Sequence, residues 1–172
     1  MQTIAKVILK RQGRHGSESG HPWVFQSEID YIKGKFTPGD IVDVFNARRQ
    51  YLGRGYINPR SQITVRLLSR DEETVDRDFF VRRISRAWAY RQRFLAEPEY
   101  CRLIFSEADF LPGLIVDKFG ACLVIVKSPG NLTDISHEIA LRGRNPFCSA
   151  NRSCCHLYGL VDKFLNIHYH PP

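Results

Sequence analysis

The chain has 172 residues, of which 43% are hydrophobic and 25% are charged, and its formal net charge is +7. This length allows one ordinary domain, or one small domain and part of a second. No segment approaches the roughly 18 consecutive apolar residues of a transmembrane helix, and the charges near the N-terminus follow the apolar residues, which is the reverse of a secretory signal. We therefore expect a cytoplasmic protein that has no membrane partner.

The positive charge is concentrated in the first part of the chain. Residues 1–70 hold 12 Lys/Arg and 5 Asp/Glu, whereas residues 71–127 hold 9 and 10, and residues 128–172 hold 4 and 3. A basic domain beside nearly neutral segments indicates a polyanionic partner, because each phosphate that is neutralised releases counterions. A basic surface that serves only solubility is the alternative.

Short strands separated by turn residues are predicted before residue 70. Residues 4–10 are apolar and β-branched, and residues 21–25 (HPWVF) start a short element that the proline favours as a helical turn. Further strands are predicted over 39–45, 51–57 and 61–68, and the last of these alternates apolar and polar side chains with a period of two. This spacing is typical of a small β-barrel.

The periodicity changes after residue 70. Apolar residues recur at steps of three and four from Val75 to Leu95, which predicts a long amphipathic helix of about five to six turns, capped by Thr74 or Asp76. The next apolar segments are 101–105, 114–117 and 122–126. They predict the start of an antiparallel sheet packed on the helix, so the expected class is α+β and mostly β.

Residues 128–172 differ in composition from the rest of the chain. They contain three of the five cysteines, namely Cys148, Cys154 and Cys155. Structural zinc sites usually take ligand pairs spaced two to four residues apart. The adjacent Cys154 and Cys155 do not match that spacing, so we expect no metal site.

Six segments occur before residue 127 in a fixed order. They are SGHPWVFQSEI (19–29), PGDIVDVF (38–45), YLGRGYINPRSQITVRLLSRD (51–71), DFFVRRISRAWAYR (78–91), YCRLIFSEADFLPGLIVDKFG (100–120) and FGACLVIV (119–126). In this order they resemble the class I SAM-dependent 23S rRNA cytosine-C5 methyltransferases whose N-terminus is a PUA domain. The resemblance implies a PUA-like RNA-binding barrel over 1–70, followed over 71–127 by a linking helix and the first strands of the family's central domain.

The resemblance ends abruptly after residue 126, and residues 128–172 depart from the family pattern. We expect this segment to be an out-of-frame or otherwise interrupted continuation. The family's SAM-binding catalytic domain is then absent, so we expect this chain to have no cofactor of its own and to be inactive alone. In the full-length family the cofactor is SAM.

No catalytic residue is assigned. A SAM site needs a Gly-rich turn between a strand and a helix, but Gly53-Arg54-Gly55 lies within a strand pattern and indicates a close backbone approach or a bulge. A nucleophilic cysteine must be activated beside the methyl donor, and Cys148 has no donor site before it. Glu107 and Asp109 are interpreted as part of a turn-forming acidic loop.

The basic and aromatic side chains of residues 1–70 are the candidates for RNA contact. Phosphate contacts are expected from Lys10, Arg11, Arg14, Arg48, Arg49, Arg54, Arg60 and Arg66. Contacts to bases or sugars are expected from His21, Tyr51, Tyr56 and Asn58. The alternative is that Trp23, Tyr51 and Tyr56 are core aromatics.

Three functions are compatible with the sequence. The first is the RNA-recognition part of an rRNA methyltransferase, which binds structured RNA, expected to be large-subunit rRNA, and not DNA. The second is a stand-alone RNA-binding module that performs no chemistry. The third is a protein-interaction fragment whose basic face meets an acidic protein surface.

Overall fold

The structure is a computed structural model that describes residues 4–11, 16–120 and 122–127. Within these ranges it contains nine strands and one α-helix, so the described part of the chain is mostly β, as expected. The strands and the helix belong to two compact units, and the chain passes from the first unit to the second after Thr74. None of the helices in the described ranges combines the length and the apolarity that a membrane crossing needs.

The first unit is a curled, six-stranded half-barrel. Its strands are β1 (Ala5–Leu9), β2 (Trp23–Phe25), β3 (Ile29–Lys33), β4 (Ile41–Phe45), β5 (Tyr51–Ile57) and β6 (Ile63–Ser69). The strand order is β2-β6-β5-β4-β1-β3. Neighbouring strands are antiparallel, except that β1 and β4 run parallel.

The strands predicted over 4–10, 39–45, 51–57 and 61–68 are confirmed as β1, β4, β5 and β6. The helical turn predicted at residues 21–25 is wrong. Trp23–Phe25 is a strand, because its backbone pairs with β6 from Arg66 to Ile63. β3 was not predicted from the sequence.

One face of the six-stranded sheet forms the core of the first unit. Its buried side chains are Ala5, Val7, Leu9, Val24, Val42, Val44, Ile57, Val65 and Leu67. Successive side chains of a strand point to opposite faces. The intervening residues, such as Lys6 in β1 and Asp43 in β4, therefore occupy the other face of the sheet.

The close backbone approach predicted at Gly53-Arg54-Gly55 is confirmed. A Cβ atom at Gly55 would lie 2.1 Å from the carbonyl oxygen of Arg66, and one at Gly53 would lie 2.6 Å from that of Ser69. The register between β5 and β6 shifts between Arg54 and Gly55, which is a local bulge. Side-chain-free residues at these two positions let β5 and β6 approach each other.

The second unit consists of a helix and a three-stranded sheet. Its elements are α1 (Arg77–Phe94), β7 (Tyr100–Phe105), β8 (Leu114–Phe119) and β9 (Cys122–Lys127), and the sheet is antiparallel in the order β7-β8-β9. Asp76 caps the helix, since its carboxylate accepts a hydrogen bond from the backbone N–H of Phe79 at 2.9 Å. The buried residues of the helix are Phe79, Phe80, Ile84, Ala87 and Trp88.

The acidic loop between β7 and β8 is held by its own side chains and by Arg91 of α1. The carboxylate of Asp109 accepts two hydrogen bonds from the guanidinium of Arg91, at 2.5 and 2.6 Å, and one from the backbone N–H of Phe105 at 2.6 Å. The hydroxyl of Ser106 accepts a hydrogen bond from the backbone N–H of Gly113 at 2.9 Å. These contacts give Asp109 the turn-forming role that the sequence predicts.

Some sequence predictions fall outside the described residues. They include the phosphate contact expected from Arg14 and every prediction for residues 128–172, among them the interpretation of Cys148, Cys154 and Cys155.

Candidate nucleic-acid interface

The ends of β1 and β4 bring four of the predicted cations to one edge of the six-stranded sheet. Because β1 and β4 are parallel neighbours, their carboxyl ends lie side by side. Lys10 and Arg11 follow the end of β1, and Arg48 and Arg49 lie in the loop that follows β4; all four are exposed. We refer to these four residues as the basic edge.

His21 and Arg60 lie elsewhere in the first unit. His21 is exposed and precedes β2, and its ring makes an edge-to-face contact with Trp23 at 4.9 Å between ring centres. Arg60 is exposed in the turn that joins β5 to β6, at the other end of β5 from the loop that contains Arg48. The six-stranded sheet therefore does not gather all of the predicted RNA-contact residues at one edge.

Arg54 is engaged within the sheet. Its guanidinium donates hydrogen bonds to both carboxylate oxygens of Asp43, at 2.7 and 3.2 Å, and to the backbone carbonyl of Glu73 at 2.6 Å. The hydrogen bonds with Asp43 raise the pKa of Arg54 above its already high usual value. This geometry corrects the expectation of a phosphate contact: Arg54 is mostly buried and stabilises the fold.

The tyrosines of β5 are not available for stacking in the way the sequence suggested. Tyr56 is 0% exposed, so it is a core aromatic, which was the alternative for this residue. Tyr51 is half-buried and its hydroxyl donates a hydrogen bond to the backbone carbonyl of Asp71 at 3.1 Å. Burial, followed by the nearby charge of Asp43, raises the pKa of Tyr51 to about 12.

Asn58 and Arg66 also have structural contacts. The side-chain oxygen of Asn58 accepts a hydrogen bond from the backbone N–H of Arg60 at 3.1 Å, which closes the turn between β5 and β6. The guanidinium of half-buried Arg66 donates to the backbone carbonyl of Ile63 at 3.0 Å. At the basic edge, Lys10 remains exposed and its ammonium donates a hydrogen bond to the backbone carbonyl of Ser27 at 2.8 Å.

The loop after β4 is tightly organised around Asn46. The side-chain oxygen of Asn46 accepts hydrogen bonds from the backbone N–H groups of Arg48 and Gln50, each at 3.0 Å. The backbone N–H of Arg49 donates to the carbonyl of Asn46 at 2.9 Å, and Arg49 has a left-handed backbone with φ 62°. This loop therefore holds Arg48 and Arg49 in defined positions at the basic edge.

Sequence reasoning missed Tyr31, which lies against this loop. The guanidinium of Arg49 is 5.4 Å from the centre of the Tyr31 ring and donates a hydrogen bond to the Tyr31 hydroxyl. Tyr31 belongs to β3, where Ile29 and Ile32 pack on the core and Tyr31 and Lys33 are exposed. The exposed Tyr31 and Lys33 are spaced by two and Gly34 follows them directly, but this pattern was not recognised as a strand.

Comparisons with known proteins agree with this architecture. A family model described as a PUA-like domain matches residues 7–70. The ribosomal RNA large subunit methyltransferase I of Shewanella amazonensis is 44% identical over 69% of this chain and 31% of its own length. The protein of the same name from Tolumonas auensis is 36% identical over 83% of this chain and 37% of its own length. The chain thus spans about a third of the length of these relatives.

Two solved structures share the fold. A Streptococcus mutans protein described as a SAM-dependent methyltransferase has a TM-score of 0.68 and 12% identity, over 95% of this chain and 38% of its own. A second structure, described as a methyltransferase complexed with SAH, has a TM-score of 0.67 with the same identity and coverage. Residues 7–70 therefore match the model of a PUA-like domain, and the chain is similar to large-subunit rRNA methyltransferases over about a third of their length.

Proposed function

We propose that residues 1–70 are the RNA-binding part of a SAM-dependent methyltransferase that modifies large-subunit rRNA at C5 of a cytosine. The observation that carries the proposal is the basic edge, where the PUA-like domain presents Lys10, Arg11, Arg48 and Arg49 from two adjacent strand ends. Four exposed cations at one edge suit the phosphates of a folded RNA. The relatives' name supports large-subunit rRNA as the substrate and methyl transfer as the reaction, and the resemblance of the sequence motifs adds SAM and C5 of cytosine.

In this proposal the described residues bind RNA and contribute no group to methyl transfer. Residues 71–127 supply the linking helix and the first strands of the central domain of the methyltransferase. SAM serves the full-length enzymes as the methyl donor. An rRNA partner also implies a cytoplasmic location.

The test is a comparison of RNA affinity in a salt series. Wild-type protein should bind a structured large-subunit rRNA fragment more tightly than duplex DNA of the same length, and log K should fall against log salt by about 0.7–0.9 for each phosphate contact. Arg48→Glu should weaken RNA binding and lower the salt slope. Arg86→Glu makes the same change in net charge on the exposed side of α1 and is the control.

An affinity that hardly changes with salt contradicts the proposal. So does equal weakening by Arg48→Glu and Arg86→Glu, because the effect then follows net charge and not the basic edge. Binding of an acidic protein surface in preference to RNA would favour a protein-interaction function.

A further inference from the structure

We infer that Tyr31 and Arg49 together form a contact site for one unpaired nucleotide of the RNA, with the base on the tyrosine ring and a phosphate at the guanidinium. This inference rests on the proposed RNA-binding function and specifies which part of the RNA one side of the domain recognises. Aromatic side chains stack on bases of any sequence, and an adjacent cation holds the backbone phosphate.

The exposure of Tyr31 is the first observation. Tyr31 is 39% exposed, although it lies in a strand of the sheet, whereas Tyr56 is fully buried and the Tyr51 hydroxyl is bound to Asp71. The Arg49 guanidinium lies over the Tyr31 ring, 5.4 Å from its centre, and donates a hydrogen bond to the ring's hydroxyl. This contact orients the ring, and the solvent-exposed part of the ring is the surface on which a base would stack.

The backbone of Arg49 is the second observation. Arg49 is one of three non-glycine residues with positive φ among the described residues. A side chain in the left-handed region costs free energy that glycine avoids, and such conformations concentrate at binding sites. Asn46 holds the loop in this conformation through three hydrogen bonds, so the loop directs the Arg49 side chain to Tyr31.

The surrounding charge is the third observation. Lys6 and Lys33 are paired across β1 and β3 and exposed, and the Lys6 ammonium lies 5.3 Å from the centre of the Phe45 ring. Tyr31 of β3 lies opposite Ile8 of β1, and Ile8 lies opposite Phe45 of β4. Cations therefore flank Tyr31 in the neighbouring strand and in the loop, and they favour an anionic ligand. The exposed aromatic ring favours a ligand that also has a planar group, which an acidic peptide lacks.

The experiment uses the full chain and two RNA probes of equal length, a hairpin with a single-stranded loop and a fully paired duplex. Tyr31→Ala should weaken hairpin binding by about 5- to 100-fold, the effect of losing one stacked base, and leave duplex binding unchanged. Tyr31→Phe keeps the ring but loses the hydrogen bond from Arg49, so it should bind the hairpin more tightly than Tyr31→Ala does. A 2-aminopurine in the hairpin loop should lose fluorescence on binding to wild-type protein but not to Tyr31→Ala.

Two further variants separate a binding role from a structural one. Arg49→Asn keeps the loop conformation, because Asn tolerates the left-handed region, but it removes the charge and should weaken hairpin binding. Phe25→Ala is the matched control: Phe25 is 38% exposed on β2, which lies at the opposite end of the strand order from β3. It should leave hairpin binding unchanged.

The outcomes distinguish this inference from the proposed function. If wild-type protein binds both RNAs with a steep salt dependence and Tyr31→Ala changes neither affinity, the nucleotide site is refuted and the proposed function stands. Equal loss for hairpin and duplex also refutes it, since stacking on an unpaired base is then not involved. If wild-type protein binds neither RNA, both are refuted.

Discussion

Asp43 and Arg54 lie opposite each other on β4 and β5, and both carboxylate oxygens of Asp43 accept hydrogen bonds from the Arg54 guanidinium. The same guanidinium also binds the carbonyl of Glu73, four residues after the end of β6. One arginine therefore ties together two central strands and the segment that leaves the sheet. An arginine that looks like a phosphate contact in the sequence is a structural residue here.

Arg54→Ala should lower the free energy of unfolding by about 1.5–3 kcal/mol, because it leaves a mostly buried carboxylate without its partner. Chemical denaturation monitored by circular dichroism measures the change. Arg60→Ala, at an exposed position in the next turn, should change stability by less than about 0.5 kcal/mol. If Arg54→Ala kept wild-type stability and lost RNA affinity, Arg54 would be a phosphate contact after all.

Gly55→Ala should destabilise the first unit by about 1–3 kcal/mol, as overpacking does in a well-packed core. The added Cβ would meet the carbonyl oxygen of Arg66 at 2.1 Å, so β5 and β6 must separate. Amide hydrogen exchange should show the loss of protection centred on the backbone N–H groups of β5 and β6. Near-wild-type protection there would mean that the two strands are farther apart than the structure shows.

Much of the first unit was predictable because its strands follow the simplest sequence rules. β6 alternates apolar and polar residues, and β4 follows the Thr37-Pro38-Gly39 turn signal directly. β2 has only three residues, and the pairing partners of β2 and β3, which are β6 and β1, lie far away in the sequence. No local pattern records such a long-range pairing, so β2 was assigned as a turn and β3 was missed.

The candidate site was less predictable for a related reason. The sequence names the basic residues, but it does not show which of them lie together, because their grouping depends on the parallel pairing of β1 and β4. Alternation along β5 also could not decide which face is buried, and Tyr56 lies fully in the interior. Tyr31 contributes to the site only because β3 pairs with β1 beside the loop that carries Arg49.

The high-pH stability of the first unit should depend on Tyr51. Its pKa is raised from 10.0 to about 12 in the folded protein, so the folded state favours the neutral phenol. The contribution of neutral Tyr51 to the free energy of unfolding is fully present below the pKa of the unfolded state. It is lost as the pH rises from about 10 to about 12, because the unfolded state releases its proton first. Tyr51→Phe has no phenolic proton to lose, so its stability should decrease less than that of wild-type protein over this pH range.

Denaturation midpoints of wild-type protein and Tyr51→Phe across this pH range check the prediction, with phenolate absorbance as a second readout. Parallel pH profiles for the two proteins would contradict a buried, hydrogen-bonded Tyr51.

The second unit offers a comparison between two arginine–aspartate pairs of different burial. The Arg91 and Asp109 side chains are 13% and 9% exposed, whereas those of Arg102 and Asp117 are 47% and 25% exposed. Breaking a buried ion pair leaves an uncompensated charge and costs about 3–5 kcal/mol, while an exposed pair is screened by solvent and contributes little. Asp109 additionally holds the N–H of Phe105, so its loss also opens the loop.

Asp109→Ala should therefore lower the stability of the second unit by about 3 kcal/mol, at the lower end of the range for a buried pair. Asp117→Ala removes the same side chain from the exposed pair and should leave stability nearly unchanged. Trp88 lies on the buried face of α1, so denaturation followed by tryptophan fluorescence in a Trp23→Phe background reports on this unit. Equal effects of the two substitutions would show that the loop between β7 and β8 does not depend on Asp109, and the acidic residues of this loop would then need a role other than forming the turn.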